Sequence, residues 1–281
     1  MKSEKDLKEL LLYIRDSAWS IPEEINKYEL SYEMMWKIGS VDSELRDGLI
    51  LELLFRMIVN NELTDKEVKG LLELSLSEGH LFYNIGEKKD DSIFNRTFTM
   101  LIIGGIIYRH NKGEEKIFTE EEIKRVHREI LKYAREEKDL RGYVENKGWA
   151  HSVAHTADAL KEIALCEELN NHELMEILEA VKEKICIHEY AYINLEDERL
   201  VSVVINIIQR RVLHNDEIIN WIKDFKNINK TGLPERDQYL VGNQRNFLSA
   251  LYFRLKRRNE SKEFFDAIEE VLNETTSKAF K

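Results

Sequence analysis

Proline is almost absent from this chain. Pro22 and Pro234 are the only two in 281 residues, and glycine is modest at 12. With so few breakers, and with Leu, Ile, Glu and Lys abundant, little in the sequence would interrupt helices. No run alternates apolar and polar residues with period 2 for long enough to propose a sheet. Cysteine is equally scarce. Cys166 and Cys186 both fall inside expected helices and form no Cys-x-x-Cys pair. That argues against a disulfide framework and makes a reducing cytoplasm the expected location. The longest apolar run, Phe98 to Tyr108, is well short of the ~20 residues that span a bilayer, so it reads as a buried helix. The opening Met1-Lys2-Ser3-Glu4-Lys5-Asp6 holds no apolar signal core, and no leader is expected. An excess of positive charge is missing too. Lys and Arg number 42 against 53 Asp and Glu, for a net charge of -11. Phosphate binding needs a basic face, so neither nucleic acid nor a membrane surface is an expected partner.

What is present reads as helix after helix. Leu7, Leu10, Leu11 and Ile14 follow the i, i+3, i+4, i+7 rule over residues 4–18. A second helix is expected over 22–38, with Pro22 in its first turn. Asp42 is a candidate N-cap for a helix over 43–60. Thr64 with Glu67 and Thr119 with Glu122 are capping boxes, in which hydroxyl and carboxylate satisfy each other's free amides. Residues 80–90 read as a loop, followed by a helix through Phe94, Phe98, Leu101 and Ile106. Beyond Asn170-Asn171, helices are expected over 172–187, from Glu196 to Leu213, and over 216–226. Asn227 to Gly242 reads as linker, before helices over 244–257 and 261–273. About twelve helices on short connections predict an all-α fold. The expected architecture is an α/α superhelix of stacked antiparallel helix pairs, HEAT- or armadillo-like, in a single domain over 1–281. A closed α/α toroid ranks second.

One block stands apart: Asp139-Leu140-Arg141-Gly142-Tyr143, then Gly148-Trp149-Ala150-His151-Ser152-Val153-Ala154-His155, and on through Asp158 to Glu162. Projected on a helix starting near Gly148, Trp149, Val153, Ala157, Leu160 and Ala164 share a core-facing stripe within about 80°. His151, His155, Asp158 and Glu162 fall within about 60° of one another on the opposite side. Such a stripe suits a binding groove, a structural polar network, or a metal site in which His151, His155 and Asp158 ligate and Glu162 acts as base. His188 or Asp197 is then the candidate fourth ligand. The spacing is not that of the metalloprotease pattern His-Glu-x-x-His, since Ser152 stands where the Glu belongs. Asp139 and Arg141 predict a turn in which the Arg pairs with a carboxylate. Arg46-Asp47, Arg96 and Asp197-Glu198-Arg199 are similar acid/base elements, either braces or contributors to one binding surface. Gly104-Gly105 has no following Lys-Ser/Thr and reads as close helix packing rather than a phosphate loop. Cys166 reads as a packed thiol.

Asp139-Leu140-Arg141-Gly142-Tyr143, the Gly148-to-His155 block with Asp158, Leu45-Arg46-Asp47, Phe94-x-Arg96-x-Phe98 and Asp197-Glu198-Arg199-Leu200 together resemble a bacterial family, domain of unknown function 2785. Thr97 stands where the family's block has Ser. The resemblance implies a helical, HEAT-like superhelix and no particular activity. The expected function is therefore binding of a small molecule or peptide on a concave face. That face would hold His151, His155, Asp158 and Glu162, with Arg141, Asp47 and Arg199 as neighbours. A metal-assisted hydrolase using a divalent ion is the second expectation, and a protein-interaction scaffold the third.

Overall fold

The structure, a computed structural model, describes residues 2–275. It is all-α, with twelve α-helices among those residues. The chain divides into two compact units, Met1–Cys166 and Glu167–Lys281.

The first unit holds α1 (Glu4–Asp16), α2 (Lys27–Met35), a π-helical stretch (Glu44–Leu51) running into α3 (Glu52–Val59), and α4 (Asp65–Ser75). These are followed by α5 (Ser92–Lys112), α6 (Glu120–Glu136) and α7 (Ser152–Ile163). The centre is α5, which packs against α3, α4 and α7. Ile102, Ile103, Ile106 and Ile107 are all completely buried. Such all-round burial is the fate of a helix that is apolar on every side. Gly104 lets α7 approach: a Cβ added there would lie 3.5 Å from Ala159 Cα. Gly105 leaves room for the Phe55 ring of α3, 3.1 Å from the same construction. The expectation of close packing at this glycine pair holds.

Both threonine capping boxes form, with Thr64 and Thr119 accepting from the amides of Glu67 and Glu122. Asp42 does cap its helix, accepting from Leu45 N at 3.2 Å, but the first two turns are π rather than α. The second helix begins later than expected. Asn26 is its cap, accepting from Glu29 N, while Pro22 lies in a turn closed by Ile25 N to Pro22 O.

Two local expectations fail at the Gly148 block. A short antiparallel hairpin, β1 (Tyr143–Val144) with β2 (Gly148–Trp149), occupies it. Two-residue strands are too short to show a period. Helix α7 then starts at Ser152, not Gly148, because His151 sits in the left-handed region at φ 47°. Trp149 is therefore not part of the core-facing stripe. It is 40% exposed, whereas Val153, Ala157, Leu160 and Ala164 are buried as expected.

The second unit holds α8 (Asn171–Ile185), α9 (Glu196–Arg210), α10 (Asn215–Lys223) with a following 3-10 turn (Asp224–Asn227), α11 (Pro234–Arg257) and α12 (Lys262–Thr275). Helix α11 packs on α8, α9 and α12. Phe225 and Phe247 stack at 5.7 Å, and the indole N–H of Trp221 donates to Leu178 O at 3.0 Å. The expected linker over 227–242 is only half a linker. Pro234 occupies the first turn of α11, where its missing N–H costs nothing. Asp237 reaches back to accept from the amides of Thr231 and Gly232. No helix among the described residues is long and apolar enough to cross a membrane.

Candidate binding groove

The supports of the site begin with two buried arginines. Arg96, on α5, is fully buried. Its Nε and Nη2 donate to the two carboxylate oxygens of Glu137 at 2.6 and 3.1 Å. Its Nη1 donates to Tyr83 O, Asn84 O and Ser92 Oγ. Tyr133 OH donates to Glu137 as well. Burial is the largest single effect and works against the Arg96 charge, but the bond to Glu137 and the negative charges of Glu137 and its neighbours together outweigh it and hold the guanidinium above its ordinary range. Glu137 also accepts from Asp139 N. The Asp139 carboxylate in turn accepts from Lys89 N, Arg141 N and Arg141 Nε. The Asp-x-Arg turn read from the sequence is therefore present, and Arg141 is committed to it.

Arg46 does the same for the hairpin. It lies between the rings of Phe94 and Phe98, 4.2 and 4.6 Å from their centroids. It donates to Ser40 O and Lys147 O, both at 2.7 Å, and its Nε is 2.7 Å from Asp47 Oδ1. Burial raises the Asp47 carboxyl above its usual range, and the adjacent guanidinium offsets part of that. Gly148, at φ +83°, passes directly over this pair. A Cβ there would stand 3.0 Å from Arg46 Nη2 and 3.6 Å from Asp47 Oδ2.

From this fixed turn, Ala150 N and His151 N donate to Gly142 O and Arg141 O, and Ser152 Oγ donates to Asp139 O. The imidazoles are thereby placed in a ladder of rings. Phe98 meets His155 edge-on at 5.5 Å, His155 meets His151 at 5.7 Å, His151 stacks on Trp149 at 4.2 Å, and Trp149 meets Tyr143 at 5.1 Å. Both histidines are 7% exposed, while Tyr143 at the outer end is 60% exposed.

One turn along α7, His155 Nδ1 lies 3.8 Å from Asp158 Oδ2. Asp158 opens into a groove of about 420 Å³. Helix α3 contributes Phe55 and Val59, α5 contributes Leu101, Gly104, Gly105 and Tyr108, and α7 contributes Asp158, Lys161 and Glu162. Lys161 Nζ is 3.2 Å from Glu162 Oε1. The end of α7 is pinned by Asn111, whose side-chain amide donates to Glu162 O at 2.8 Å. Cys166 is buried with its Sγ 3.9 Å from that same carbonyl, the packed thiol read from the sequence.

Of the candidate residues, Asp158 and Glu162 share this groove, His155 adjoins Asp158, and His151 stands behind His155. Asp47 reaches the same region only through the Gly148 turn. Arg199 belongs to α9 of the second unit, its amide donating to Leu195 O. The two candidate fourth ligands have local partners: His188 Nδ1 is 3.7 Å from Asp237, and Asp197 accepts from Glu198 N. Phe55 and Val59 were not singled out from the sequence, and Leu101 and Tyr108 were read only as parts of a buried helix. Their signal was faint: an i, i+4 pair on α3 and an aromatic one turn beyond the two glycines on α5.

Fold and groove define an all-helical protein whose first unit is built around one buried central helix, α5. The chain belongs to the family described as protein of unknown function (DUF2785), whose model matches residues 81–253, more than half of it. That span includes α5, the Arg96–Glu137 brace and α7, while the α3 wall lies outside it. No curated protein and no solved structure matches the chain.

Proposed function

We propose that this protein is a binding protein whose small-molecule or peptide ligand lies between α3, α5 and α7. The carrying observation is the groove itself. Its apolar floor and wall meet three ionisable side chains on α7, and its volume of about 420 Å³ falls in the range of ligand sites. Two buried arginine clusters brace the turn that leads into α7, and rigid support of this kind characterises sites that must hold their geometry. A cytoplasmic location, and stacking of the helix pairs in a HEAT-like superhelix, complete the reading.

Saturation-transfer NMR against a fragment mixture, run on the wild type and on Leu101→Trp, tests it. Leu101 is half-buried on the groove floor, so an indole there occupies ligand space. Binding to the wild type that disappears in a folded Leu101→Trp supports the proposal. Equal binding to both moves the site elsewhere.

A second reading, a metal-assisted hydrolase, draws on His155 and Asp158 standing 3.8 Å apart with His151 adjacent. It ranks lower because both imidazoles are packed ring against ring. Stoichiometric zinc, manganese or iron in the wild type, lost in His151→Ala/His155→Ala, would reverse that ranking.

A further inference from the structure

We infer that the occupant of this groove is an amphipathic organic monocation: an ammonium group held at Asp158, carrying an apolar body along Phe55, Leu101 and Tyr108. This rests on the binding reading above and gives it a ligand class. The charged groups of the lining all come from α7, two carboxylates against one ammonium, so the lining carries a net charge of -1. Lys161 faces Glu162 at 3.2 Å and offsets it. Asp158 is one turn closer to the hairpin, with His155 Nδ1 3.8 Å away.

The side chains of Asp158 and Glu162 are only 25% and 14% exposed. A carboxylate half withdrawn from water beside apolar surface gains most from a cation that brings its own hydrogen-bond donors. A second carboxylate arriving there would meet like charge. The opposite wall suits the rest of such a molecule. Phe55, Val59, Leu101 and Tyr108 line it with apolar and aromatic surface. Aromatic faces attract cations further, and Lys112 Nζ already lies 5.8 Å from the Tyr108 ring centroid.

The test compares three ligands that differ only in the head group: 3-phenylpropylamine, 3-phenylpropanol and 3-phenylpropanoate. Each is titrated calorimetrically into wild type, Asp158→Asn, Lys161→Ala and Leu101→Trp, all checked for helicity by circular dichroism. The expected result is an amine that binds at least about 10-fold more tightly than the alcohol or the acid. Asp158→Asn should remove most of that preference and leave the alcohol unchanged. Lys161→Ala should not weaken the amine, and Leu101→Trp should abolish all three. Equal or tighter binding of the acid, lost in Leu101→Trp, overturns the ligand class while leaving the groove as the site. An amine preference that survives Asp158→Asn overturns the assignment of its head group. Failure of all three ligands to bind wild type also overturns the ligand class, and the fragment experiment then judges the groove independently.

Discussion

Arg96 and Glu137 each carry a charge into a place with almost no solvent, their side chains 0% and 2% exposed. A buried pair of this kind need not be more stable than an apolar replacement of both, but removing one partner leaves the other stranded. Arg96→Leu should therefore destabilise the protein by about 3–5 kcal/mol, read from urea unfolding. Arg96→Leu/Glu137→Leu should recover part of that loss. If the single and double variants unfold alike, the pair is not the brace described above. His80 makes the complementary case. Burial lowers its imidazole below the ordinary range, against a weaker raising effect from a hydrogen bond to the Met35 backbone. The unfolded chain binds that proton near pH ~6.5 and the native protein only below it. Stability is thus full above pH ~6.5 and falls as pH drops through the lowered native value, at no more than about 1.4 kcal/mol per pH unit. Urea midpoints measured between about pH 7.5 and 5 should show a shallower fall in His80→Phe than in wild type. Parallel profiles would remove His80 as the cause.

At the scale of elements, the turn before α7 is the most constrained stretch. Gly148 combines a left-handed backbone with near-contact to Arg46 and Ser43. Gly148→Ala adds strain at both, so a loss of roughly 1–3 kcal/mol is expected. The fluorescence of the protein should change as well, because Trp149 leaves its stack on His151. A variant with unaltered stability and spectrum would show that the turn relaxes freely. The capping boxes are simpler. Thr119→Ala removes the acceptor for Glu122 N and should cost about 1 kcal/mol, without altering ligand binding, since Thr119 is not in the groove. The boxes were legible in the sequence because they span only four residues. The hairpin and the left-handed His151 were not, because their conformation is set by the Arg46 guanidinium, which donates to Lys147 O, and by the carbonyls of Arg141 and Gly142.

At the scale of the whole molecule, every residue lining the groove lies within Met1–Cys166. Residues 1–166, expressed alone, should fold cooperatively and retain the ligand affinity of the full chain within a few-fold. Circular dichroism with urea titration, followed by calorimetry, checks both parts. A non-cooperative fragment would show that the unit depends on the remainder of the chain.

By itself the sequence determined the helical class, the helix starts marked by Thr64, Thr119 and Asn170, and the lack of a membrane-length apolar helix. It also singled out the block from Asp139 to Glu162. These follow from composition, or from contacts within one turn. Only the tertiary structure decided which residues meet there. Gly104 brings α7 against α5, and Gly105 admits Phe55 from a helix some fifty positions earlier in the chain. The stripe read on one continuous helix became two things: an edge-to-face imidazole pair at the turn, and Asp158 and Glu162 in the groove. The physical reason is separation along the chain. A cap is satisfied by its neighbours, but a groove exists only once three distant helices are packed, and no local pattern records the space they leave.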